Sequence, residues 1–78
     1  MANKKFIKER DEALLSLDKE RIVKFMRKYN PEAKIPENET VFWAAIHKAI
    51  CVLDSANPGQ KLNSTIWLVN HGFRPEIS

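Results

Sequence analysis

Residues 43–51 read WAAIHKAIC. Wound into a helix, this stretch stacks Trp43, His47 and Cys51 along one stripe at four-residue steps. An imidazole and a thiol one turn apart can share a metal ion, or act as a general base and its nucleophile. They can also simply pack.

The metal reading is weak. A structural zinc site wants four ligands, and the chain offers one cysteine and two histidines, Cys51, His47 and His71. His71 falls on another helix, and neither a CxxC nor an HExxH pattern occurs. The catalytic reading is no stronger. A nucleophilic cysteine needs an electropositive, accessible setting that favours the thiolate, but Cys51 sits between Ile50 and Val52. Only two glycines exist, Gly59 and Gly72, so glycine-rich turns that make an oxyanion hole or cradle phosphate are missing. The sequence therefore predicts no catalytic residue, no metal and no cofactor. Cys51 reads as a small core residue. His47 reads as a half-buried imidazole at the core's edge, hydrogen-bonded to a group on another helix.

The elements that must position these residues are helical. The apolar periodicity and the turn signals predict helices at about 4–16, 19–29, 39–53 and 58–71. In the first, Phe6, Ile7, Ala13, Leu14 and Leu17 share a side with Arg10, while Leu15 points elsewhere. Asp18 reads as an N-cap for the second, with Leu17 and Ile22 placed as a hydrophobic staple. Ile22, Val23, Phe25, Met26 and Tyr29 line one face of that helix. Asn30-Pro31 ends it, and Ile35 is expected to anchor the irregular stretch that follows. Eleven of the thirteen residues from Val41 to Leu53 are apolar, so the third helix should be surrounded by its neighbours. Asn57 caps the fourth, Pro58 takes its first position, and Gly72 with Phe73 should close it in a Schellman ending. No stretch alternates with period two. The fold class is all-α: a compact single-domain bundle over residues 1–78, with the third helix at its centre.

The net charge of +3 is unevenly spread. Residues 1–34 carry ten Lys/Arg against six Asp/Glu, and residues 35–78 carry three against four. Arg21, Lys24, Arg27 and Lys28 form a basic face on the second helix that could meet phosphates. Gln60 and Lys61, near the start of the fourth helix, would complete a helix-turn-helix-like pair with the third. Glu20 interrupts this face, and a solvated helical surface is the more ordinary explanation of it.

The fourth helix carries a second candidate surface. Leu62, Ile66 and Val69 share one face, which is expected to meet the core. Trp67 lies roughly 140° from Leu62 at 100° per residue. It is then either a partly exposed anchor between Asn63 and Asn70, or a ring lying flat at the bundle's edge with its N–H bonded.

One cysteine allows no internal disulfide, which favours a reducing, cytoplasmic setting. The stretch MANKKFIKERDEALL does not read as a secretory signal, and no apolar run reaches the ~20 residues of a membrane span. The expected function is a non-catalytic protein–protein interaction or accessory module, with a protein partner that could be a second copy of itself. Trp67, Asn63, Asn70 and Leu15 are the candidate contact residues. Nucleic-acid binding through Arg21, Lys24, Arg27, Lys28, Gln60 and Lys61 is the alternative.

Overall fold

A computed structural model describes residues 4–73. The protein is all-α. Its four helices are α1 (Lys4–Leu15), α2 (Lys19–Tyr29), α3 (Glu39–Cys51) and α4 (Pro58–Asn70), and there is no strand among the described residues. The chain divides into two units, Met1–Ile35 and Pro36–Ser78. No helix among the described residues is long and apolar enough to cross a membrane.

The first unit is a hairpin in which α1 packs on α2. The chain turns at Ser16–Asp18, and Asp18 caps α2 by accepting from the Glu20 and Arg21 amides. Ala13, Leu14 and Ile22 are buried. Excluding an isoleucine side chain fully from water is worth about 1.5–3 kcal/mol. Phe6, Phe25 and Tyr29 form an aromatic triad, with ring centroids 4.8–5.5 Å apart. The Glu9 carboxylate closes the open end, accepting from the Tyr29 hydroxyl at 2.7 Å and from Lys28 Nζ at 3.0 Å.

The expected staple does not form here. Leu17 is exposed, and its backbone adopts φ +54°. The chain reverses through this left-handed conformation, and Asp18 caps α2 while Leu17 stays at the surface. Leu15 is half-buried.

The second unit packs α3 against α4. Asn38 caps α3 through the Val41 amide. At α4, Asn57 and Gln60 cap each other reciprocally, with Pro58 in the first turn. Gly72 at φ +80° and the Phe73 amide on the Leu68 carbonyl (2.8 Å) close the helix in the Schellman geometry. Helix α3 buries Phe42, Ala44, Ile46, His47 and Ile50. It is not buried all round, because Val41 and Ala45 face solvent.

The largest departure from expectation lies in α4. Leu62, Ile66 and Val69 are 59%, 47% and 57% exposed. The buried residues of this helix are Ser64 and Leu68. The helix is therefore turned so that its aliphatic stripe faces water, and a serine takes a core position.

Candidate functional site

Ser64 explains how α4 is turned. Its hydroxyl lies 2.9 Å from His47 Nδ1, and the two residues are 2% and 8% exposed. A buried imidazole without a partner is costly, and so is a buried hydroxyl. Joined, each satisfies the other. Burial pushes the His47 pKa below its usual value of 6.5, and the nearby His71 adds to the same direction.

Around this pair runs a column of rings. The His47 imidazole stacks on Trp67 with centroids 4.6 Å apart, and His71 stacks on Trp67 at 3.9 Å. Trp43 lies 6.1 Å from His47, and Phe73 6.2 Å from Trp67. His71 Nδ1 is 2.8 Å from the Trp67 carbonyl oxygen. A carbonyl only accepts, so Nδ1 carries a proton. Trp67 is half-buried. Its ring stacks on two histidines of its own unit and is in part exposed.

His47 and Cys51 take separate partners. Cys51 Sγ lies 3.5 Å from Thr65 Oγ1 and 3.9 Å from the Lys61 carbonyl oxygen. Thr65 Oγ1 itself donates to that carbonyl at 3.0 Å. The thiol is thus left to donate its proton, as a packed cysteine does. The pairing of His47 with Ser64 resembles a serine–histidine dyad, but a serine 2% exposed cannot be reached by a carbonyl substrate. Among the described residues, no three His, Cys, Asp or Glu side chains converge as metal ligands.

The other candidate residues separate into two places. Asn63 and Asn70 are exposed on α4, beside Leu62, Ile66 and Val69. Arg21, Lys24 and Arg27 are exposed on α2, and with Lys19, Glu20 and Val23 they border an open concavity of about 620 Å³. Lys28 is engaged by Glu9, which holds the Lys28 pKa above its usual value, chiefly through their hydrogen bond. The Gln60 side-chain oxygen accepts from the Asn57 amide at 2.9 Å, and Lys61 is half-buried. Residues 52–57 connect α3 to α4, a longer joint than the 3–4-residue turn of a helix-turn-helix.

The sequence reasoning missed Ser64 as a core residue and the aliphatic stripe as a surface. The signal for both was present: His47 needed a buried partner, and α4 has a hydroxyl one turn from Leu68. Compared with known proteins, the chain matches no family model, no curated protein and no solved structure.

Proposed function

We propose that this protein is a non-catalytic interaction module, working in the cytoplasm, whose contact surface is the outer face of α4. The observation that carries the reading is the exposure of Leu62, Ile66 and Val69 at 59%, 47% and 57% on a helix whose opposite face is already packed. Single exposed aliphatic residues are ordinary, but three on adjoining helical turns form a continuous apolar ridge, the kind of surface that partners cover. Asn63 and Asn70 supply a polar rim along its edge. The inaccessibility of Ser64 and the separate partners of His47 and Cys51 support a role without catalysis.

The test is a variant carrying Leu62→Asp, Ile66→Asp and Val69→Asp. It should keep its helical circular dichroism and melting transition while losing association with any partner of the wild-type chain. Retention of every association by a folded triple variant would remove α4 as the contact surface.

The exposed cations of α2 favour a second reading, binding of a polyanion such as nucleic acid. Arg21, Lys24 and Arg27 have no ion-pair partner among the described residues. Such binding should weaken steeply with salt and disappear in a Lys24→Glu, Arg27→Glu variant. A lack of binding to single- or double-stranded DNA and RNA at low salt would end it.

A further inference from the structure

The exposed side of α2 joins positive charge to a shallow apolar floor. Lys19, Val23 and Arg27 follow one another at four-residue steps, and Glu20 and Lys24 form the neighbouring stripe. Val23 is half-buried, while Lys24 and Arg27 are exposed. The concavity they border with Arg21 is lined mostly by carbon. That carbon is Val23 and the alkyl stems of the basic residues, which lay their stems along apolar surface and keep their charged heads in water.

The cationic strip is narrow. Glu9 and Glu12 of α1 line the same small groove as Arg21 and Lys24, and Glu20 stands inside the strip itself. Acidic and basic groups therefore alternate across this face of the hairpin.

These neighbours choose among the anionic partners that the cations would attract. A nucleic-acid strand carries a phosphate at every step, so it would set negative charge against Glu20 and Glu12. Single strands also gain from stacking on aromatic rings, but Phe6, Phe25 and Tyr29 are packed on one another. An anionic membrane takes up a helix through a broad apolar face. The apolar side of α2 is already occupied, with Ile22 buried and Phe25 and Tyr29 against Phe6. A polypeptide segment meets neither obstacle. It can space its carboxylates to match Arg21, Lys24 and Arg27, spare Glu20, and set an apolar side chain over Val23.

We infer that the concavity on α2 is a docking site for an acidic amphipathic segment of a partner protein, held at the rim by Arg21, Lys24 and Arg27 and seated by an apolar side chain on Val23. The inference rests on the reading of α2 as an anion-binding face and names its partner. Exposed ion pairs each add little, so the complex is weak and exchanges rapidly.

The probe is a synthetic peptide of about 18 residues, long enough to hold a helix alone, with glutamates along one side and leucines on the adjoining stripe. Fluorescence anisotropy of the labelled peptide, titrated with the full chain, reads binding. The wild type should bind it. A Lys24→Glu, Arg27→Glu variant with unchanged circular dichroism should bind at least about tenfold more weakly, because like charges then meet at the rim. Exchanging the peptide's leucines for alanines should weaken binding as well. An oligothymidylate, and vesicles of phosphatidylcholine with phosphatidylserine, should bind more weakly than the peptide at the same salt.

Peptide binding that ignores Lys24 and Arg27, or that ignores the leucines, overturns the inference. A preference for the oligothymidylate or the vesicles over the peptide also overturns it, but leaves α2 an anion-binding face. If none of the three binds at low salt, that reading of α2 falls with it.

Discussion

The His71 imidazole lies on the Trp67 indole with 3.9 Å between ring centroids and 14° between ring planes. His47 stacks on the same indole at 4.6 Å. Trp67 is thus tied to His47 of α3 and to His71 just past the end of α4, and its loss should be felt as a loss of fold. Trp67→Ala should destabilise by about 3 kcal/mol, the lower end for tryptophan truncation because the ring is half-buried. That corresponds to a melting temperature lower by roughly 12–24 °C for a chain of this size. Thermal melts by circular dichroism check it. An unchanged melt would show that the ring contributes nothing to packing.

Removing the Ser64 hydroxyl should cost more than its size suggests. Ser64→Ala leaves His47 Nδ1 buried without a partner, and should destabilise by about 1–3 kcal/mol. Replacing both residues by apolar ones, as in His47→Phe with Ser64→Ala, should recover part of that loss. Urea unfolding of the two single variants and the double variant measures the coupling, and strictly additive losses would exclude it.

Acid should weaken the fold in two stages, each with a named group. Folding holds the His47 pKa below 6.5, so the unfolded chain binds more protons as pH falls past that value. The stability associated with neutral His47 is complete above 6.5 and is lost as pH falls through its lower folded value. Glu9 is held below 4.5, first by the Tyr29 hydrogen bond and then by that from Lys28. Its contribution is present above 4.5 and is lost on further acidification. Nuclear magnetic resonance titration should place the His47 midpoint below 6.5, with melts at several pH values following the loss. Glu9→Gln should flatten only the lower stage.

Two backbone positions should respond in opposite senses. Leu17 pays for a left-handed conformation at φ +54°, at a cost of about 1–2 kcal/mol for a residue with a β-carbon. Leu17→Gly removes that strain, less about 0.5–1 kcal/mol for glycine's freedom in the unfolded chain, and should stabilise slightly. Gly72→Ala meets no atom within 4 Å but must hold φ +80°, and should destabilise by about 1 kcal/mol. Chemical denaturation distinguishes the signs.

Much of the fold was legible because its signals are local. Asp18, Asn57, Pro58 and Gly72 mark helix ends with side chains and backbone preferences that act within a few residues. The predicted helices accordingly differ from the observed ones by two residues at most, at their C-terminal ends. The setting of α4 was not legible in the same way. That helix has two apolar arcs, Leu62 with Ile66 and Val69, and Trp67 with Leu68. Periodicity cannot choose between them. The choice is made by a polar contact seventeen residues apart in sequence, between His47 and Ser64. The fate of His47 was foreseen in kind, as an imidazole bonded to another helix, but its partner was not identified.

The corner between α1 and α2 is built from near neighbours alone. Ser16 Oγ donates to the Ala13 carbonyl and receives the Asp18 amide, Leu17 bonds back to Leu14, and Asp18 receives Glu20. Bonds this short in sequence close almost no loop, so their entropic cost is small. The reversal can therefore take shape on the timescale of helix formation, before any distant segment has been found. It then delivers Phe6 and Glu9 to Phe25 and Tyr29 with the search between them already shortened.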